Sequence, residues 1–183
     1  MKKVTAALLL LALLFGPTLR AQTPRASGGE GTQYLGPVYV SQQHGFSIRP
    51  PARWWMSDSV SGFLVKFSET AYEAYILIDA IKLPAPIKLD RDFVEYVSKQ
   101  NSEVKKSMPA FTVVSNRAAR VNGVSSYRTE ALFQAGPNQA LISIYYIPAG
   151  SRLFMIMTIC PEVTARKWDP ILSSSVNTFT VTK

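Results

Sequence analysis

Ala140-Leu-Ile-Ser-Ile-Tyr-Tyr-Ile147 and Leu153-Phe-Met-Ile-Met-Thr-Ile-Cys160 are two runs that are apolar at odd and even positions alike, joined by Pro148-Ala149-Gly150-Ser151-Arg152. Successive side chains of a strand point to opposite faces, so such runs must be covered on both sides. They are short enough for strands, and a Pro/Gly connection between them is that of a hairpin. Together they predict the centre of an antiparallel sheet lying between two layers.

Upstream, Phe111 to Val121 and Val124 to Gln134 flank Asn122-Gly123, the dipeptide that a two-residue type I′ hairpin requires. Asp90 to Met108 reads as the main helix, with Phe93, Val97, Val104 and Met108 on one side and Gln100 and Asn101 towards its edge. Asp90 can N-cap it, Leu89 and Val94 fit a hydrophobic staple, and Pro109 stops it. Val38 to Val40, Gly45 to Arg49, Gly62 to Phe67 and Glu73 to Leu83 are four earlier strands, set off by turn residues. Downstream, Asp169-Pro170 supplies an N-cap and a first-turn proline for a helix over Ile171 to Val176, and Phe179 to Val181 ends the chain as a strand. The class is α+β: a central antiparallel sheet of about six to seven strands with helices on both faces.

The N-terminus is of another kind. Met1-Lys2-Lys3 precedes the uncharged run Val4 to Phe15, which Gly16-Pro17 breaks. This is the layout of a secretory signal peptide, too short for a membrane-spanning helix, with cleavage expected after Ala21. No Cys stands there to carry a lipid, so the expected product is periplasmic or extracellular, without stable membrane insertion after cleavage. Residues 22–36 are polar and rich in Gly, Ser and Thr and read as a flexible linker; residues 37–183 form one domain.

Composition narrows the function classes. The 183 residues carry 20 Lys+Arg and 12 Asp+Glu. Losing residues 1–21 removes Lys2, Lys3 and Arg20 and no acid, so 17 basic residues then face 12 acids and the charge falls from +8 to +5. That is a mild charge without a basic run, and nucleic acid is not an expected partner. One Cys and one His exclude zinc fingers and disulfide scaffolds. Cys160 reads as a buried thiol.

At Gly45-Phe46-Ser47-Ile48-Arg49-Pro50-Pro51-Ala52-Arg53-Trp54 the sequence resembles the opening motif of the PsbP-like family, in which a Gly-Phe-Ser strand runs into proline and tryptophan. The resemblance extends over about residues 37–183 through the long helix, the Asn-Gly hairpin, the two apolar strands and a terminal helix ending at Phe179. It implies an antiparallel sheet with helices on both faces, and extrinsic or accessory subunits that mostly lack catalytic activity. Fold analogy alone does not fix function.

Few residues carry chemistry. His44 is the only imidazole, without a nucleophile elbow or Cys signature beside it, and reads as a turn residue. Ser27-Gly28-Gly29-Glu30-Gly31 lacks the Lys-Ser/Thr of a phosphate loop. Asp90 and Asp92 suit the positive end of a helix. Asp79 interrupts an apolar strand, so it needs a partner such as Arg117 or Arg128, or else it faces a cleft as part of a site. Arg117 and Arg128 fall opposite each other in a plain two-residue hairpin. Glu130, a bulge that shifts the register, or an acidic ligand could relieve them. Trp54, Trp55 and Trp168 could form an exposed binding patch, although core packing is the default for each.

The expectation is an exported, non-enzymatic accessory or binding protein of the cell envelope that contacts a protein complex, with no catalytic residue, cofactor or metal. Asp79, Arg117, Arg128, Trp54 and Trp55 are its candidate binding residues. Two alternatives stay open. One is a carbohydrate-active or other hydrolase using Asp79 with a second carboxylate. The other is a small-ligand or metal carrier in which Asp79, Asp90 and Asp92 meet.

Overall fold

A computed structural model describes residues 34–182 apart from 59, 61, 70, 72, 73, 108, 109, 136 and 137. The signal-peptide segment, most of the linker, and the Met108-Pro109 helix stop lie outside the described residues.

The strands are β1 (Tyr39–Ser41), β2 (Phe46–Ile48), β3 (Trp55–Asp58), β4 (Val65–Ser68), β5 (Tyr75–Lys82), β6 (Thr112–Val121), β7 (Val124–Ala135), β8 (Asn138–Ala149), β9 (Arg152–Pro161) and β10 (Thr180–Val181). The helices are α1 (Arg91–Ser107) and α2 (Ala165–Val176), the second preceded by a 3-10 turn over Glu162–Thr164. Seven strands form one antiparallel sheet in the order β3-β4-β5-β9-β8-β7-β6, and β1-β2-β10 form a small second sheet.

The two doubly apolar runs are β8 and β9 in the middle of this order, as their burial on both faces requires. One face, with Leu77, Ile142, Ile144, Met155 and Met157, is covered by Phe93, Val97 and Val104 of α1. The other, with Ile76, Ile78, Tyr145, Ile147 and Ile156, is covered by Trp168, Leu172 and Val176 of α2, by the small sheet through Phe46 and Ile48, and by Phe179 just ahead of β10. Phe46 stacks on Phe179 with ring centroids 5.6 Å apart and meets Phe154 edge-on at 5.9 Å, which gives the Gly-Phe-Ser strand its role in the core.

Local signals explain most boundaries. The Asp90 carboxylate accepts the Phe93 N–H at 3.2 Å, capping α1. Leu89 packs against the core there, whereas Val94, its expected staple partner, is exposed. At the β6–β7 turn, Val121 pairs with Val124 and the two turn residues have φ of 48° and 78°, as a type I′ hairpin needs. A register shift between Val113 and Ser115 puts a bulge further along β6.

Two elements differ from expectation. The terminal helix starts at Ala165, so Asp169 does not cap it and Pro170 lies inside it. Trp168, Leu172, Ser175 and Val176 share its buried side, and burying Trp168 draws in the extra first turn. The sequence does not predict β3, because Trp55-Met56-Ser57-Asp58 is an edge strand without apolar alternation. Ahead of residue 37, Leu35 bridges to Pro51, and the Gly36 N–H donates to the Pro50 carbonyl at 2.7 Å.

Candidate binding surfaces

Arg117 and Arg128 stand directly opposite each other on β6 and β7. Their side chains lie on the α2 face, because the row continues through Tyr145 of β8 and Ile156 of β9. Glu130, two residues along the same face, takes both cations: Oε1 is 2.7 Å from Arg128 Nη2 and Oε2 is 3.4 Å from Arg117 Nη2. Asp169 of α2 adds a second carboxylate 3.1 Å from Arg128. Arg128 also donates to the Ser143 hydroxyl at 2.9 Å and lies 5.0 Å above the Tyr145 ring. Burial pushes the Tyr145 hydroxyl above its usual range, and the neighbouring Arg128 charge works against that. The like-charge pair is therefore neutralised internally, by Glu130 and by an acid expected to serve as a helix cap.

Asp79 lies elsewhere. It pairs with Met155 and shares the α1 face of β5 with Tyr75 and Leu77, opposite the face that carries Arg117 and Arg128. The sheet separates it from both expected arginine partners, whose acids are Glu130 and Asp169. It is half-buried, not enclosed, and its Oδ1 accepts the Ala80 N–H at 2.8 Å. Among the described residues no group of three or more His, Cys, Asp or Glu could hold a metal ion. Asp79, Asp90 and Asp92 therefore do not meet, and Asp90 is occupied in capping α1.

The tryptophans do not form one exposed patch. Trp168 is buried, and Trp54 meets it edge-on with ring centroids 5.9 Å apart. Lys167 Nζ sits 4.3 Å from the centroid of the Trp168 ring. Trp54 is thus half-buried support for α2, reached through Arg53, whose φ of 67° is in the left-handed region. Trp55 is half-buried on the edge strand β3, paired with Ser68.

The imidazole and the thiol have structural places. His44 lies in the β1–β2 turn, where its carbonyl accepts Arg152 Nη1 at 2.7 Å. Cys160 is buried in the α2-side core, and burial pushes its thiol up to about 12.

Sequence reasoning misses an edge formed by both sheets. Tyr39 of β1 donates to the Asp58 carboxylate of β3 at 3.0 Å, and its ring lies edge-on to Phe67 at 5.4 Å. Both β1 and β3 end their sheets. Val38, Val40 and Met56 are exposed by 58%, 52% and 47% along this joined edge, more than their apolar side chains favour. The Val-Tyr-Val alternation of residues 38–40 carries the signal for β1, but nothing in the sequence marks which strand it lies beside.

The architecture has solved counterparts. The cyanobacterial PsbP (CyanoP) of Synechocystis superposes with a TM-score of 0.63 at 16% identity, covering 86% of this chain and 98% of that one. The chain has the PsbP-like fold. LpqN, involved in cell envelope biogenesis of Mycobacterium tuberculosis, matches with a TM-score of 0.53 at 12% identity over 75% of this chain and 83% of its own. The Ran-binding protein Mog1p of Saccharomyces cerevisiae matches at 0.54 and 9% identity, covering 79% and 94%. No family model matches the sequence, and no curated protein matches it significantly. In PsbP-like terms the Gly-Phe-Ser opening has a physical basis here: Phe46 fills the core, and the motif's Trp54 buttresses Trp168.

Proposed function

We propose that this chain is an exported, non-enzymatic accessory or binding protein of the cell envelope that docks on a protein partner along the β1–β3 edge. The observation that carries the reading is the exposure of Val38 just ahead of β1, Val40 on β1 and Met56 on β3, two strands that each pair on one side only among the described residues. Edge strands present free main-chain donors and acceptors, and apolar side chains beside them add area to lose from water on docking. The PsbP-like neighbours are in keeping with it: one is described as Ran-binding and another as acting in cell envelope biogenesis. No helix of the described residues is long and apolar enough to cross a membrane. Export rests on the N-terminal sequence.

Of the sequence-derived binding residues, Trp55 and the 57%-exposed side chain of Arg117 remain accessible, while Trp54 and Arg128 serve packing. The test is recovery of one envelope complex by the exported form beginning at Gln22, at low and moderate salt. Met56→Glu and Trp55→Ala are expected to weaken recovery, and Val163→Ala, at an exposed site away from the edge, to leave it intact. Recovery insensitive to both edge variants would remove the edge from the reading.

A further inference from the structure

A second like-charge pair crosses the sheet. Lys82 of β5 stands directly opposite Arg152 of β9, on the face of Phe154 and α2. Opposed like charges are unfavourable. The Arg117–Arg128 pair meets that cost with Glu130 and Asp169, whereas among the described residues neither Lys82 nor Arg152 makes an ion pair.

Arg152 is nevertheless held in place. Its Nη1 donates to the His44 carbonyl at 2.7 Å, and its guanidinium lies 5.1 Å from the Phe154 ring centroid. It runs so close to Gly45 that a Cβ there would come within 3.2 Å of both terminal nitrogens. Gly45 has a φ of 64°, so glycine answers both the turn and the passage of the arginine. The Leu83 N–H donates to the Ser151 carbonyl at 2.7 Å, fixing the β8–β9 turn beside Lys82. Lys82 and Ser151 are exposed at the rim.

We infer that Lys82 and Arg152, with the Gly150-Ser151 turn, form a binding site for a phosphate-class oxyanion, either a free ion or a phosphate esterified on a lipid. A pinned guanidinium keeps donors that the His44 carbonyl does not use, and a flexible lysine opposite it can close on the same oxygens. An anion between them replaces repulsion by two charge-assisted contacts. Lys82 and Arg152 lie on β5 and β9 within the large sheet, whereas the proposed docking strands β1 and β3 end their sheets.

Inorganic phosphate titrated into the isotope-labelled protein, with chloride at matched ionic strength as the baseline, is expected to shift the amides of His44, Gly45, Lys82, Gly150, Ser151 and Arg152 saturably. Lys82 is exposed, so Lys82→Gln keeps the fold; it should weaken binding about fivefold, the worth of one solvated ion contact. Lys105→Gln, at an exposed cation of α1 on the other side of the sheet, should leave binding unchanged. Sedimentation with phosphatidylglycerol vesicles but not phosphatidylcholine vesicles, lost in Lys82→Gln, assigns a lipid headgroup. Phosphate-induced shifts without sedimentation assign a free ion or small ester. Neither shifts nor sedimentation, or an equal response in Lys82→Gln, overturns the site.

Discussion

Arg128 and Asp169 meet at 3.1 Å between Nη2 and Oδ1, a contact that ties the first half of α2 to β7 across 41 residues of chain. The two ends of this contact differ in burial: the Arg128 side chain is 11% exposed and that of Asp169 46%. Removing Arg128 takes from Glu130 its shorter and more buried ion pair, leaving it the longer 3.4 Å contact with the mostly exposed Arg117 and the Ser115 hydroxyl, and takes a donor from Ser143. Arg128→Ala should therefore cost about 3 kcal/mol, and Asp169→Asn less than about 1 kcal/mol. Urea unfolding of both variants checks the ratio; equal costs would mean that Asp169, and not Glu130, is the main counter-charge.

The glycine turns separate backbone strain from contact. Gly123 has a φ of 78°, and a Cβ added there would have nothing within 4 Å, while at Gly45 a Cβ would also meet the Thr182 carbonyl at 3.1 Å. Gly123→Ala should cost about 1 kcal/mol, the conformational cost alone. Gly45→Ala should cost at least about 2 kcal/mol, because backbone, which cannot swing aside, adds to the strain. Thermal melts of the two variants, measured side by side, test the order.

Among the tryptophans, Trp168→Ala opens a cavity beneath α2 and should cost about 4 kcal/mol. Trp55, half-buried on an edge strand, should cost about 1 kcal/mol when truncated, through part of its apolar area alone. That difference is what makes Trp55→Ala usable in binding assays. Equal losses of stability would place Trp55 in the core.

Burial holds the Cys160 thiol near 12, against about 9 when the chain unfolds. Between those values the unfolded chain gives up its proton first, so the folded state binds more protons and stability falls as pH rises. Tyr146 is pushed upward by burial too and adds to the same slope at higher pH. The protein should lose stability from about pH 9 upward, and Cys160→Ala should flatten the first part of that loss. In the folded state near neutral pH a thiol reagent should react only on unfolding, which a disulfide-exchange time course with and without urea would show.

The sheet's interior is legible in the sequence, because two-sided burial leaves a pattern that little else produces. Ala140 to Ile147 and Leu153 to Cys160 are the central strands, and Asn122-Gly123 is its hairpin. Edges are hard to read. β3 has one paired side and no apolar alternation, so Trp55 and Met56 give no strand signal. Side-chain partnerships between distant segments are harder still. Asp169 looks like a helix cap because Pro170 follows it, and only the approach of α2 to β7 reveals its arginine. Asp79 draws an expected arginine from the wrong face, since parity along β5 means nothing until β5 is placed beside β9. The Lys82–Arg152 pair is invisible for the same reason.

Asn101 gives the sharpest test of how α1 sits. It is 5% exposed and falls between Val97 and Val104 on the core side of the helix, yet among the described residues neither its Oδ1 nor its Nδ2 has a hydrogen-bond partner. A buried amide without partners forfeits its hydration and gains nothing in return, a cost of about 1–3 kcal/mol for each unsatisfied group. Leucine has the branching and heavy-atom number of asparagine, carries no polar atom to satisfy, and has a higher helix propensity. Asn101→Leu should therefore raise stability by at least about 1 kcal/mol, read as a higher urea midpoint at unchanged slope. A fall in stability would mean that the amide is paired in solution, through water held between α1 and the sheet, and that the inner side of α1 is wetter than Phe93, Val97 and Val104 imply.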